Sequence, residues 1–142
     1  MVKGFRSLSS NGIINGCVGI IDGLLCPIIR PQQNEVGHVR SFFSGHYQRY
    51  GINVQACCDH KLRFMAFTCN SPGGMNDRLA LCNWRLYEKI KKLNLGYYFI
   101  ADNGYYTTRN IMTPFKKDEL HKIPEKLIAR DNYNFFISQL LI

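Results

Sequence analysis

The chain has 142 residues, 46% of them hydrophobic and 13% aromatic, with 18 Lys and Arg against 10 Asp and Glu for a formal net charge of +8. That length suits one compact domain rather than two, and its apolar content is enough to offset the entropy of ordering the chain, which excludes disorder. The positive excess points to polyanions, nucleic acid ahead of an anionic membrane surface, while no apolar run nears the roughly 18 residues of a membrane span.

The first 15 residues read as a loose, polar segment, without the apolar run and cleavage site of a secretory signal. Cys17 to Asp22 is a short apolar strand stopped by the turn pair Asp22-Gly23, and Leu24 to Ile29 is a second apolar piece ended by Arg30-Pro31. Residues 32–49 are polar and basic, a long connection with Phe42, Phe43 and Tyr47 interleaved. Tyr50 to Cys57 alternates, with Ile52, Val54 and Ala56 on one face and Asn53 and Gln55 on the other, which predicts a half-buried strand. Asp59-His60 then makes a turn, Leu62 to Cys69 returns as the second strand of a hairpin, and Ser71 to Gly74 stops it.

Asn76 is a good helix N-cap, with Asp77 in the first turn where negative charge favours the helix dipole. Leu79, Leu86, Ile90 and Leu93 come next at helical spacing, Lys89, Lys91 and Lys92 crowd the last turn, and Gly96 lies just beyond. Tyr97 to Asp102 is another apolar strand, closed by Asn103-Gly104. Pro114 and Pro124 interrupt the next stretch, and Asp131 or Asn132 caps a final helix whose apolar face is Tyr133, Phe136, Ile137 and Leu140. Strands on both sides of a crossover helix predict an α/β protein, a mixed sheet covered by helices. Cys17, Cys26, Cys57, Cys58, Cys69 and Cys82 form no C-x-x-C pair and no zinc spacing with the histidines, so a reduced, intracellular protein is expected.

Two places share one form: an apolar strand, then Asp, then Gly one or two positions on. They end in Asp22-Gly23 and Asp102-Asn103-Gly104. Each alone is more simply a turn signal, and the pair in a basic chain brings the two readings level. Side by side, two such strands would bring two carboxylates to one or two hard divalent cations, the arrangement that activates water in phosphodiester cleavage. Arg40 and Arg49 could contact backbone phosphates, with Phe42, Phe43 and Tyr47 packed on the core. His38, His46 and His60 are not needed at a carboxylate site for Mg²⁺.

Cys17-Val-Gly-Ile-Ile-Asp-Gly23, Tyr50 to Ala56, Asp59, Arg63-Phe64, Pro72-Gly73, Asn76-Asp77 and Ala101-Asp102-Asn-Gly-Tyr105 resemble, in order and spacing, the blocks of Harbinger/PIF-type DDE transposases. Asp131 to Gln139 resembles the stretch leading into that family's last catalytic helix. The resemblance implies an RNase H-like fold over 16–142 and a divalent-metal-dependent endonuclease and strand transferase acting on double-stranded DNA in the nucleus. It also implies a separate DNA-binding partner protein, and no membrane. It makes Asp22 and Asp102 the first two catalytic acids, both holding Mg²⁺ or Mn²⁺ in a two-metal site. Asp77 is a further acid near the metals, although its place at a helix N-terminus accounts for it as well. The family's third acid, a Glu, falls beyond Ile142, on the helical face of Ser138 and Leu141. Glu119, Glu125 and Asp131 lie outside that block and are read as surface charges, and Asn103 stands where the family more often has a small residue. Without that Glu, the alternative is a catalytically inactive, truncated or domesticated remnant that binds DNA or a protein partner.

Overall fold

The computed structural model describes residues 2–120, 122 and 124–140. Helix α1 (Val2–Leu8) leads into strand β1 (Cys17–Pro27), then β2 (Phe43–Ser44), β3 (Arg49–Cys58) and β4 (Phe64–Pro72). Helices α2 (Asp77–Cys82) and α3 (Arg85–Lys91) precede β5 (Tyr98–Ala101) and β6 (Ile111–Met112), and α4 (Lys117–Leu120) and α5 (Leu127–Ser138) complete the described chain. The strands form one sheet in the order β2-β3-β1-β5-β6, with β4 also paired to β3. β1 runs parallel to β5 and β5 to β6, whereas β3 is antiparallel to β1, β2 and β4. This mixed α/β sheet, flanked by helices, agrees with the RNase H-like fold that the resemblance implies.

Strand β1 differs from its sequence reading in a way that matters for the site. Asp22-Gly23 is not a turn, and the two apolar pieces are one strand. The antiparallel ladder to β3 runs unbroken from Ile20↔Cys58 to Pro27↔Gly51, so Asp22 and Gly23 have partners in Ala56 and Gln55. The parallel ladder to β5 stops at Ile21↔Ala101. Asp22 therefore stands mid-strand, at the point where its parallel neighbour ends.

The alternation along β3 is as read, but the polar face is the buried one. Gln55 is fully buried and Asn53 nearly so, while Ile52 and Val54 are only half-buried. Burial of two amides is tolerable because their hydrogen bonds are satisfied within the protein. The single helix expected after Asn76 is broken in two at Trp84, which has extended backbone (φ −87°, ψ 128°). Breaking the helix there sends the indole into the core with Ile21, Leu81, Ile90 and Phe99. Leu79, expected on the apolar face, is left half-exposed, and Ala80 and Leu81 are buried instead. The Asn76 cap forms as read, its side-chain oxygen accepting from the Leu79 N–H at 2.9 Å.

On the opposite face, Phe5, Ile14, Cys17, Ile100, Ile137 and Leu140 make a second core, with Tyr133 and Phe136 packed against it. The apolar face of α5 is thus as predicted, although the helix begins at Leu127 rather than at Asp131. The first 15 residues, read as loose, contain α1 and bury Phe5 and Ile14. Strand β6 had no signal in the sequence. All six cysteines are free; burial pushes Cys17 and Cys57 up to about 12, as expected of thiols acting as small hydrophobes. Leu141, one of the two residues that define the helical face of the third acid, lies outside the described residues, as does Ile142.

Candidate functional site

Parallel register sets the geometry. Ile20 pairs with Ile100, so two residues further on Asp22 and Asp102 emerge on the same face of the sheet, from adjacent strands. The turn after β5 forms as read: Asp102 Oδ1 accepts the Gly104 N–H at 2.8 Å, which holds the carboxyl over the strand end. Asp22 Oδ1 accepts the N–H of its own neighbour Gly23 at 2.8 Å. Both aspartates border a hollow of about 590 Å³, and Asp77, at the start of α2, borders it too. The structure therefore brings together all three acids singled out in the sequence. Glu119, Glu125 and Asp131 do not line it.

Asp77 reaches the site because Gly23 lets it. A Cβ on Gly23 would lie 2.2 Å from Asp77 Oδ1 and 2.6 Å from Gln55 Nε2. Only a residue without a side chain permits that approach. Asp77 Oδ1 accepts from Asn53 Nδ2 at 2.9 Å and from Gln55 Nε2 at 3.0 Å. Gln55 Nε2 also donates to Asn53 Oδ1 at 2.8 Å, and Gln55 Oε1 accepts from the Tyr105 hydroxyl at 2.6 Å. Sequence reasoning missed Asn53, Gln55 and Tyr105 as parts of the site. The available signal was two amides at strand spacing within an otherwise apolar strand.

The three carboxyls share a pattern: each uses Oδ1 as an acceptor, and among the described residues no hydrogen bond reaches Oδ2 of any of them. Asp22 is held above the ordinary carboxylate range. Desolvation in the hollow is the main cause, opposed by the Gly23 N–H, and the charges of Asp102 and Asp77 add to the rise. The hollow thus concentrates negative charge, and among the described residues none of the three carboxyls is in an ion pair. The donors are hard oxygens of the kind that Mg²⁺ and Mn²⁺ prefer, so the chemistry of the set fits such an ion. Among the described residues, however, no three His, Cys, Asp or Glu side chains close around one point as a finished cage.

Part of the wall of the hollow comes from the basic connection. His46 and Tyr47 line the hollow, their rings in edge contact with centroids 4.7 Å apart. Tyr47, expected to pack on the core, is half-exposed instead, whereas Phe42 and Phe43 are half-buried as read. A second, more apolar hollow of about 320 Å³ also borders Asp22 and Asp102, and Leu140, in the turn just past α5, lines it. Asp59 and Arg63 lie elsewhere. Their 2.7 Å ion pair closes the β3–β4 hairpin and, through the Arg63 guanidinium, holds Asp59 well below the usual carboxylate range.

The fold and the hollow define the class: a mixed α/β protein whose acids gather where parallel strands end. The model of the DDE superfamily endonuclease family matches residues 21–135, a span that includes Asp22, Asp77 and Asp102, and the chain belongs to that family. No curated protein and no solved structure matches the chain. Among the described residues, no helix is long and apolar enough to cross a membrane.

Proposed function

We propose that this chain is the catalytic core of a Harbinger/PIF-type transposase that cuts double-stranded DNA and joins the freed end to a target. The observation that carries the reading is the delivery of Asp22 and Asp102 from adjacent parallel strands to one hollow that Asp77 shares. Asp22 and Asp102 would hold Mg²⁺ or Mn²⁺, with Asp77 as a further oxygen donor. Such ions, when bound, activate a water and stabilise the leaving oxygen of a phosphodiester. The chain's own share is positional. Backbone N–H groups of Gly23 and Gly104 orient the first two carboxyls, and the desolvated setting of Asp22 disfavours its bare charge, which a bound cation would offset. Leu140 borders the same aspartates, so an acid carried further along the chain in helical continuation of α5 would approach them from that side. Duplex DNA is the substrate in this reading, the nucleus the place of action, and a separate protein supplies specific DNA binding.

The test is nicking of supercoiled plasmid in Mn²⁺. Wild-type protein is expected to nick, and Asp22→Asn and Asp102→Asn are each expected to fall to background while remaining folded. A second reading, a remnant that binds DNA without cutting it, is favoured by the absence of a closed cage of ligands among the described residues. It predicts salt-sensitive duplex binding with no metal-dependent nicking.

A further inference from the structure

Around Asp77, the hydrogen bonds run in one direction. Tyr105 is 4% exposed, and its hydroxyl lies 2.6 Å from the side-chain oxygen of Gln55. Its hydrogen bond goes to Gln55 Oε1, an atom that can only accept. The Gln55 NH₂ donates on its other side to Asn53 Oδ1 and to Asp77 Oδ1; the Asp77 carboxylate can only accept, so it fixes which way round the buried amide sits and leaves the amide oxygen to the Tyr105 hydroxyl. Asn53 is locked in the same sense, its oxygen taking the Gln55 proton and its NH₂ donating to the Met75 carbonyl at 3.0 Å and to Asp77 Oδ1. Both amide donors converge on a single oxygen of Asp77 and leave the other free. A Gln55 amide turned the other way would set oxygen against oxygen at Asp77.

We propose that Tyr105, Gln55 and Asn53 form a directional relay that positions Asp77, so that its free oxygen is offered to a divalent cation in the hollow that Asp22 and Asp102 also border. The inference rests on the metal-site reading above and adds to it three positioning residues and the route by which they act. Partners that orient metal ligands commonly change affinity without touching the ion.

The experiment is a Mn²⁺ titration of the 142-residue chain, monitored by loss of the free-ion EPR signal, with circular dichroism to confirm folding. Tyr105→Phe and Gln55→Met each remove the relay at nearly constant volume, and each is expected to weaken Mn²⁺ binding about tenfold. Tyr133→Phe also deletes a hydroxyl hydrogen bond, to the Thr113 carbonyl at 3.2 Å and outside the relay, and is expected to leave Mn²⁺ affinity unchanged. That control separates positioning from general loss of stability. Added to Asp77→Asn, Tyr105→Phe is expected to cost little more, because the relay acts through that carboxyl. Wild-type affinity in both relay variants, with binding abolished by Asp22→Asn, would overturn the relay and leave the metal-site reading standing. An equal further loss in the Asp77→Asn background would overturn the route through Asp77. If the wild-type chain binds no Mn²⁺, or Asp22→Asn binds it as well, both the reading and the relay fail.

Discussion

Gly23 carries a constraint that its position in a regular ladder does not reveal. The backbone there is ordinary strand, so the demand is for space rather than for an unusual dihedral angle. Gly23→Ala would drive a methyl group into Asp77 Oδ1 and Gln55 Nε2. Overpacking of this kind costs about 1–3 kcal/mol. Because the displaced atoms are the site itself, loss of Mn²⁺ binding is expected to accompany the lower melting temperature, and parallel titration and thermal melts check both. Asp22 makes a different prediction. Its native pKa is raised above the unfolded value, so its contribution to stability is full below the unfolded pKa and is lost as pH rises through the native one. At neutral pH the metal-free protein therefore bears an unfavourable charge at this position. Asp22→Asn is expected to melt higher than wild type at pH 7 without metal, with the difference fading as the pH falls below about 4. Melts across that pH range, with metal chelated, test the sign; a lower melting temperature for the variant at pH 7 would show that the carboxyl is not held against its preference.

Two elements are set by side chains that interrupt or close them. Trp84 ends α2 and starts α3 because its indole belongs to the core between Ile21, Leu81 and Ile90. Trp84→Ala is expected to cost about 3–5 kcal/mol in chemical denaturation, since it leaves a cavity and removes the reason for the break. The β3–β4 hairpin is closed by Asp59, whose Oδ1 accepts from the Lys61 and Arg63 N–H groups and whose Oδ2 takes the Arg63 guanidinium. Its pKa is lowered, so its contribution is present above the unfolded value and lost as pH falls. Asp59→Asn is expected to lower the melting temperature at pH 7 and to match wild type in strong acid, the reverse of the trend at Asp22. At this scale, the sequence shows elements whose signal is local. The Asn76 cap, the Asp102-Asn103-Gly104 turn and the apolar face of α5 depend on neighbours within a few positions. It misleads where distant contacts decide: Asp22-Gly23 has the composition of a turn, yet pairing with β3 holds it in a strand, and the helix break at Trp84 answers to a core formed largely by strands. The buried face of β3 was hidden for the same reason, because Asn53 and Gln55 are satisfied by Asp77 and Tyr105, 24 and 50 positions away.

The whole molecule sets a positive surface against a negative hollow. A net charge of +8 attracts duplex DNA, but the acids repel the phosphate that must enter between them. Three carboxyls border that hollow, and Asp22 already registers the charge of the other two. Without metal, Asp22→Asn/Asp102→Asn is therefore expected to bind duplex DNA more tightly than wild type. Added Mg²⁺ is expected to strengthen wild-type binding and to leave the double variant nearly unchanged, because the variant has little negative charge left to neutralise. Elsewhere on the surface the logic inverts. Arg40 and Arg49 are exposed and flank the segment that supplies His46 and Tyr47 to the wall of the hollow. If each meets a phosphate, replacing either with Ala weakens binding and makes the dependence of log K on log salt shallower by about one. Fluorescence anisotropy over a salt series, with and without Mg²⁺, reads both effects on the same duplex. Tighter metal-free binding by the double variant, together with shallower salt slopes for the arginine variants, would assign repulsion to the hollow and attraction to its rim. A double variant that binds no better than wild type would mean that DNA passes over this face without entering the hollow, and the acids would then have no phosphate to act on.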